Sequence, residues 1–400
     1  MVLLICAVQM LAQIGLFAVP ALLPTFMQVW FLSNTEAGWI TGVFYLSYMF
    51  SVPILVSLTD RIDPKRIYLF GVGMIALAGF GYAWLAEGFW SGLFFRALWG
   101  IGWAGSYMPG LKALSDLVEG PQQSRAVAAH AASIGVSSAL SFFIAGTVAD
   151  VFGWRVAMTV GGGGAIAAFL LMATLFPSSS FSGQSRELGK LLDFRPIFRN
   201  RSAVAYSIGY GVHTFEMSAL RNWVVAFLTF VASYQGTKGV AELLSPAAVA
   251  TLMGLVGVLA SVSGNEMARR IGRQRWIILV MAAGMVVSAG IGFSAAISYQ
   301  VAVGLVLIYG SLIWADSASL TAGAAGSAAA GQRGATLAVH STLGYTGGFI
   351  GPLSIGIMLD IFGSDAPIGW GLAFLASLGI LAIGPLAIII FKPKSLAGDR

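Results

Sequence analysis

The stretch VSLTDRIDPKRIYLFG (56–71) gathers five charges within seven positions, between two long apolar runs: Asp60, Arg61, Asp63, Lys65 and Arg66. Only 10% of the 400 residues are charged, whereas 58% are hydrophobic. A soluble domain has about 25% charged residues, so this chain cannot cover a surface that faces water. The composition therefore predicts a membrane protein whose charges are confined to loops such as this one.

Two further features of composition exclude other classes. The single cysteine, Cys6, excludes a disulfide framework and a cysteine-based metal site. The first apolar run is too long for a cleavable signal peptide, and no basic segment precedes it. No motif for a cofactor is present, so we expect none.

The apolar runs predict the fold class. A helix needs about 20 apolar residues to cross a bilayer, and twelve such runs, numbered here as spans one to twelve, can be read at 2–29, 37–58, 66–86, 89–114, 124–149, 154–176, 202–232, 246–265, 275–296, 299–325, 334–359 and 367–391. Helical runs of this length predict an all-α membrane protein rather than a β-barrel. The longest polar break predicts an N-terminal six-helix bundle at 1–176, a central cytoplasmic loop at 177–201 and a C-terminal six-helix bundle at 202–400.

The basic residues predict the orientation. If the loop after span two is cytoplasmic, 18 of the 22 basic residues lie on that side and two, Arg155 and Lys238, lie on the other, while Arg96 and Arg221 fall inside spans. This bias predicts a multi-pass protein of the cytoplasmic (inner) membrane with both termini cytoplasmic. The basic excess thus reflects membrane topology, and no nucleic-acid partner is expected.

The two halves of the chain repeat each other. Span five runs from SRAVAAHAASIG to ADVFGW and span eleven from GATLAVHSTLG to LDIFGS; His130 precedes Asp150 by 20 positions, and His340 precedes Asp360 by the same number. LTDRIDPKRI (58–67) and MARRIGRQRW (267–276) follow the second span of each half. Such repeats in a helical membrane protein are typical of transporters that work by alternating access.

These features together resemble the major facilitator superfamily, and the resemblance covers nearly the whole chain. The family's loop, G-x-x-x-D-R-x-G-R-K, is matched in the first copy by Asp60, Arg61 and Lys65, and in the second copy by Arg270, Gly272 and Arg273. Val56 replaces the leading glycine, and Arg269 stands at the aspartate position of the second copy. A second family pattern, R-x-x-x-G-x-G-x-A, is matched by RALWGIGWA (96–104).

The resemblance implies twelve transmembrane helices in two pseudo-symmetric six-helix bundles, functional as a monomer. It also implies a cytoplasmic latch, so we expect gating roles for Asp60, Arg61, Lys65, Arg270 and Arg273. Asp60 is expected to face a cation or the N-terminal end of span eleven. The alternative is that these charges only set the orientation.

Charges inside spans indicate candidate sites, because each costs at least about 2.5–3.5 kcal/mol at bilayer depth. Arg96 shares a helical stripe with Trp103 and Tyr107, which predicts a cavity wall that grips an anion. Gln13 in span one is expected to face the same cavity. The alternative for Arg96 is a structural pair with a carboxylate elsewhere.

Span seven carries a second candidate group, with Tyr206, His213 and Glu216 along one face, and Tyr206 is a predicted substrate contact. Glu216 is close to mid-span, and a carboxylate shielded from water holds its proton more tightly, so Glu216 is the predicted proton carrier. His213, one turn away, is expected to share the proton or to contact substrate. Asp316 in span ten is a second coupling candidate, and its alternative is a hydrogen-bonded contact with Ser317 or Ser319.

The leading hypothesis is a proton-coupled symporter of a small organic solute, with a tilt toward an anion. The alternative is a proton-coupled exporter of amphipathic cationic compounds, although the Gly-Pro signature of antiporters is absent from span five and a similar string occurs at 344–356 in span eleven. An enzyme is disfavoured because HExxH and Ser–His constellations are absent. A channel is disfavoured because no re-entrant filter segment is evident.

Overall fold

The computed structural model describes residues 2–118, 121–178, 195–236, 244–329 and 332–396, and this part of the chain is helical with no β-strand. The prediction of an all-α membrane chain is confirmed. The helices are Val2–Ala12, Ala18–Ala21, Leu23–Val29, Asn34–Leu58, Pro64–Trp84, Phe89–Ser115, Pro121–Phe152, Trp154–Leu175, Arg195–Arg199, Arg201–Gln235, Pro246–Ile271, Arg273–Ile291, Tyr299–Ala315, Ser317–Gly326, Arg333–Phe362, Pro367–Ala376, Leu378–Leu381 and Ile383–Phe391.

Within the described residues, ten stretches are long and apolar enough to cross a membrane, and they correspond to spans two, three and five to twelve. Span one is divided into the three short helices between Val2 and Val29, and span four is the single helix Phe89–Ser115. Most of the predicted central loop, 179–194, lies outside the described residues.

The span boundaries follow local sequence signals. Asp63 is the N-cap of span three: its side chain accepts a hydrogen bond from the Lys65 amide at 3.0 Å, and Pro64 occupies the first helical position. Spans five and six meet at Gly153, and spans eleven and twelve meet at Gly363, both with positive φ. These two glycines are 210 positions apart, so the backbone shows the same repeat as the sequence.

Small residues bring the helices together. In span eleven, a Cβ at Gly344 would press on the Tyr210 ring, and one at Gly347 would clash with the Gly211 carbonyl oxygen. In the first half, a Cβ at Gly79 would lie 2.8 Å from the Gly162 backbone. Such contacts exclude larger side chains, as is usual where membrane helices approach closely.

The chain divides into two compact units. The first comprises Met1–Leu32 and Val43–Arg186, and the second comprises Ser33–Gly42 and Glu187–Arg400. The first turns of span two therefore belong to the second unit, while the rest of that helix belongs to the first. The predicted boundaries at 176 and 202 remain a prediction.

Candidate functional site: buried charges and aromatic rings in each unit

Arg96 lies fully buried in span four of the first unit. Its Nη1 donates a hydrogen bond of 3.1 Å to the carbonyl of Leu16, which lies in the break between helices Val2–Ala12 and Ala18–Ala21. The guanidinium carbon is 4.4 Å from the centroid of the Phe44 ring. Among the described residues, no carboxylate pairs with Arg96, and its Nε and Nη2 have no hydrogen-bond partner.

A series of aromatic rings leads away from Arg96. Phe44 stacks with Trp103 at 5.2 Å between centroids, Trp103 with Tyr107 at 5.8 Å, and Tyr107 with His130 at 6.2 Å. Trp103 and Tyr107 are partly exposed, whereas Phe44 is buried. The predicted stripe of Arg96, Trp103 and Tyr107 is thus part of a longer ring series that includes Phe44 and His130, two residues that helical periodicity within span four could not reveal.

Gln13 occupies the break in span one and is almost fully buried. Its Oε1 lies 3.5 Å from the Ser138 hydroxyl of span five, and its Nε2 has no hydrogen-bond partner among the described residues. The Phe17 amide, in the same break, donates to the Ser141 hydroxyl at 3.1 Å. The serines of span five therefore provide hydrogen-bond partners for one backbone amide and one side-chain oxygen at the break in span one.

In the second unit, His213 of span seven contacts Asp316 of span ten. Their Nδ1 and Oδ1 atoms are 2.7 Å apart, and the side chains are 1% and 2% exposed. The distance is that of an ion pair. Periodicity indicated a shared proton between His213 and Glu216, or a contact of Asp316 with Ser317 or Ser319, and so missed this partnership.

Asp316 lies at a break in span ten, between helices Tyr299–Ala315 and Ser317–Gly326. The Ala315 carbonyl accepts a hydrogen bond of 2.9 Å from the Trp276 indole. Gly264 of span eight faces the same carbonyl, and a Cβ there would clash with it. Spans eight and nine thus hold the break at the buried acid, and broken membrane helices with polar residues at the break are a known setting for ion and solute sites.

Glu216 is 7% exposed and pairs with no cation among the described residues. Its carboxyl group is hydrogen-bonded to the Tyr309 side chain of span ten. Gly284 of span nine makes room for the carboxyl group, because a Cβ at position 284 would lie only 3.0 Å from Glu216 Oε1. The Arg221 guanidinium lies over the Trp314 ring, 4.8 Å from its centroid.

The remaining residues of this unit form a ring stack and an apolar core. Tyr210 stacks on His213 at 5.6 Å and on His340 at 4.0 Å. Tyr206, predicted to contact substrate, is fully buried in an apolar cluster that includes Met281 and Leu320. The structure therefore places Tyr206 in the core of the unit, on the same helix as His213 but among different neighbours.

The predicted gating residues are arranged in two ways. Lys65 Nζ donates to the Ala173 carbonyl at 2.9 Å and also to that of Phe176, at the C-terminal end of span six, where a cation is favoured. Arg273 donates to the Asn265 side chain at 3.0 Å and to the Ser319 carbonyl at 3.1 Å. Each of these cations thus binds within its own unit.

The other three predicted gating residues are at the surface. Asp60 and Arg61 are exposed beyond the end of span two. Arg270 is exposed and pairs with Glu266 one turn earlier, at 2.9 Å. An exposed pair of this kind contributes little to stability, so these residues are available for other contacts.

The family model for the Major Facilitator Superfamily matches residues 5–352. This chain therefore belongs to the Major Facilitator Superfamily, and it is a multi-pass membrane protein with a secondary-transporter fold. The resemblance seen in the sequence is confirmed.

The curated relatives that this chain resembles include spinster homologues. The chain is 28% identical over 242 residues to protein spinster homolog 3 of Danio rerio, covering 58% of this chain and 49% of that protein. It is 28% identical over 234 residues to protein spinster homolog 1 of Homo sapiens, covering 56% and 44%. The chain thus spans about half the length of the curated relatives it matches.

Solved structures show the same fold. A bacterial homologue of the human lysosomal transporter spinster, in an inward-facing and occupied conformation, matches with a TM-score of 0.82 at 15% identity and covers 100% of this chain and 97% of that one. The nucleoside transporter NupG matches with a TM-score of 0.78 at 12% identity and covers 98% and 99%. At these identities the likeness concerns the fold alone.

Proposed function

We propose that the protein is a proton-coupled symporter that takes up a small organic anion by alternating access. The observation that carries this proposal is Arg96, a fully buried guanidinium with two nitrogens that have no partner among the described residues. A buried charge without a countercharge is costly in a membrane, so an anionic ligand offers the missing negative charge. The adjacent ring series suits the apolar or planar remainder of such a solute.

Coupling is assigned to two carboxyl groups of the second unit. Glu216 has a neutral hydrogen-bonding neighbour, Tyr309, and no cation pair among the described residues, so a proton can serve as its countercharge. Asp316 differs, because it has the imidazole of His213 at 2.7 Å. We propose Glu216 as the primary proton carrier and Asp316, which His213 contacts, as the second coupling residue.

The protein is placed in the cytoplasmic membrane with both termini inside, and its partners are the solute, protons and lipid. The positive-inside rule supports this topology, because it assigns to the cytoplasm the basic loops after spans two and eight, which carry Arg61, Arg66, Arg269, Arg270 and Arg275. We expect it to function as a monomer, without an enzymatic activity.

Export of amphipathic cations remains the second candidate. It is favoured by the same two buried carboxyl groups, Glu216 and Asp316, and by the partly exposed rings of Trp103 and Tyr107, which can stack on a cation. The two candidates predict opposite signs of charge for the solute.

A thermal-stability screen of the purified protein against organic anions and cations decides between them, because a ligand stabilises the state that it binds. If the protein takes up an anion, an organic anion should stabilise it. The affinity for that anion should fall roughly tenfold or more in Arg96→Lys, because lysine lacks the planar guanidinium group that can form two parallel hydrogen bonds. Arg221→Lys is the matched control and should bind as the wild type does. Stabilisation by cations alone, or unchanged anion affinity in Arg96→Ala, would assign Arg96 a structural role.

A further inference from the structure

The first turn of span two is capped by two different devices. Ser33 and Glu36 form a reciprocal local cap: the Ser33 amide donates to Glu36 Oε2 at 2.9 Å, and the Glu36 amide donates to Ser33 Oγ at 3.1 Å. This is a capping box, which satisfies two amides at the start of the helix. The amides of the two residues between them, Asn34 and Thr35, are left over.

The carboxylate of Asp360, near the other end of the chain, accepts hydrogen bonds from both of the remaining amides. The Asn34 amide donates to Asp360 Oδ1 at 3.0 Å, and the Thr35 amide donates to Asp360 Oδ2 at 2.7 Å. The Asn34 side-chain amide adds a third hydrogen bond to Oδ1, at 2.9 Å. All three contacts lie within the second unit, and a negative charge at the N-terminus of a helix is favoured electrostatically.

The backbone of span eleven is shaped for this contact. A Cβ at Gly356, one turn before Asp360, would clash with the Asn34 carbonyl oxygen, and one at Gly38 would lie 2.8 Å from the Pro352 carbonyl oxygen. Two glycines, one on each helix, therefore permit the start of span two to lie directly against the end of span eleven.

Span eight is the repeat counterpart of span two, and among the described residues its first turn shows only a local cap. Its Ser245 hydroxyl accepts from the Ala248 amide at 3.2 Å, and Pro246 occupies the first helical position. A span of this fold can thus begin with a local cap alone. Asp360 is also exposed, so water can replace its hydrogen bonds when the contact opens.

We propose that Asp360, Asn34 and Thr35 form a clasp that holds the start of span two to the end of span eleven in one end state of the transport cycle and releases it in the other. The proposal rests on alternating access. By the predicted topology the clasp lies at the side opposite the charged loops, so it opens when the solute site faces outward.

Spin labels test the clasp in the full-length protein in nanodiscs. In a Cys6→Ser background, labels at Val29, just before span two, and at Ile368, just after span eleven, are both exposed and report whether the two helix ends separate. Asp360→Asn removes the charge and one hydrogen-bond acceptor. The ratio of the population with the short label distance to that with the long distance should fall on the order of tenfold. Asp365→Asn removes the same charge from the adjacent loop and should leave the ratio unchanged.

Two further results keep the test decisive. Asn34→Ala removes the side-chain hydrogen bonds to Asp360 and to the Ser364 hydroxyl but keeps both backbone contacts, so it should give a smaller shift in the same direction. Backbone amide exchange at 33–36 should accelerate in Asp360→Asn but not in Asp365→Asn. Unchanged distances and exchange in Asp360→Asn, or equal changes in both aspartate variants, would overturn the clasp. Transport is measured separately: a protein that transports but shows no clasp effect refutes the clasp alone, whereas absence of transport refutes the proposed function.

Discussion

The contact between His213 and Asp316 allows a quantitative test. His213→Leu leaves the Asp316 carboxyl buried at 2% exposure without its partner at 2.7 Å. Removing one member of a buried ion pair costs about 3–5 kcal/mol, whereas replacing both members by apolar residues is often nearly neutral. The double variant His213→Leu/Asp316→Leu is therefore expected to be more stable than His213→Leu alone.

The magnitude can be expressed as a melting temperature. An unfolding entropy of about 2 cal/mol/K per residue gives about 1.2 °C per kcal/mol for a chain of 400 residues. We expect His213→Leu to lower Tm by about 4–6 °C in detergent, followed by tryptophan fluorescence, and the second substitution to restore most of that loss. If the shifts of the two single variants simply add in the double variant, the two side chains do not interact and the assignment of the pair is wrong.

Three other variants follow from the geometry. Asp60→Asn is expected to insert normally and to shift the protein toward the inward-open state, measured by labels on the cytoplasmic helix ends; an unchanged distance distribution would refute the predicted latch. Gly264→Ala should lower stability by about 1–3 kcal/mol because its Cβ would clash with the Ala315 carbonyl at the break in span ten. Gly163→Ala, whose Cβ would meet nothing within 4 Å, is its control and should be neutral or slightly stabilising; equal losses in the two variants would contradict the packing at Gly264.

The fold could be predicted from the sequence because its signals are local. The length of each apolar run, the side on which the basic residues lie and the spacing of His130–Asp150 and His340–Asp360 are all visible without any contact between helices. The break in span one also has a sequence signal, since Pro20 follows the turn and proline weakens a helix. These features depend on composition and period, which a single sequence provides.

The partners of the buried charges could not be predicted in the same way. Periodicity placed His213 and Glu216 on one face of span seven, but the choice of partner depends on how span ten is turned and where it breaks. The break at Asp316 has only a weak signal, the tendency of aspartate to compete with the helix for backbone hydrogen bonds. The contact of Asp360 with Asn34 joins residues 326 positions apart and has no local signal.

Proton coupling through Glu216 is tested most directly by comparing exchange with accumulation in vesicles. Glu216→Gln mimics the protonated carboxyl and keeps an oxygen that can accept a hydrogen bond from Tyr309. We expect this variant to retain substrate counterflow and to lose accumulation driven by a pH gradient, while Asp316→Asn retains at least part of both activities. If Glu216→Gln still concentrates substrate against its gradient while Asp316→Asn does not, Asp316 is the carrier. If both variants still concentrate substrate, protons are not coupled through these carboxyl groups.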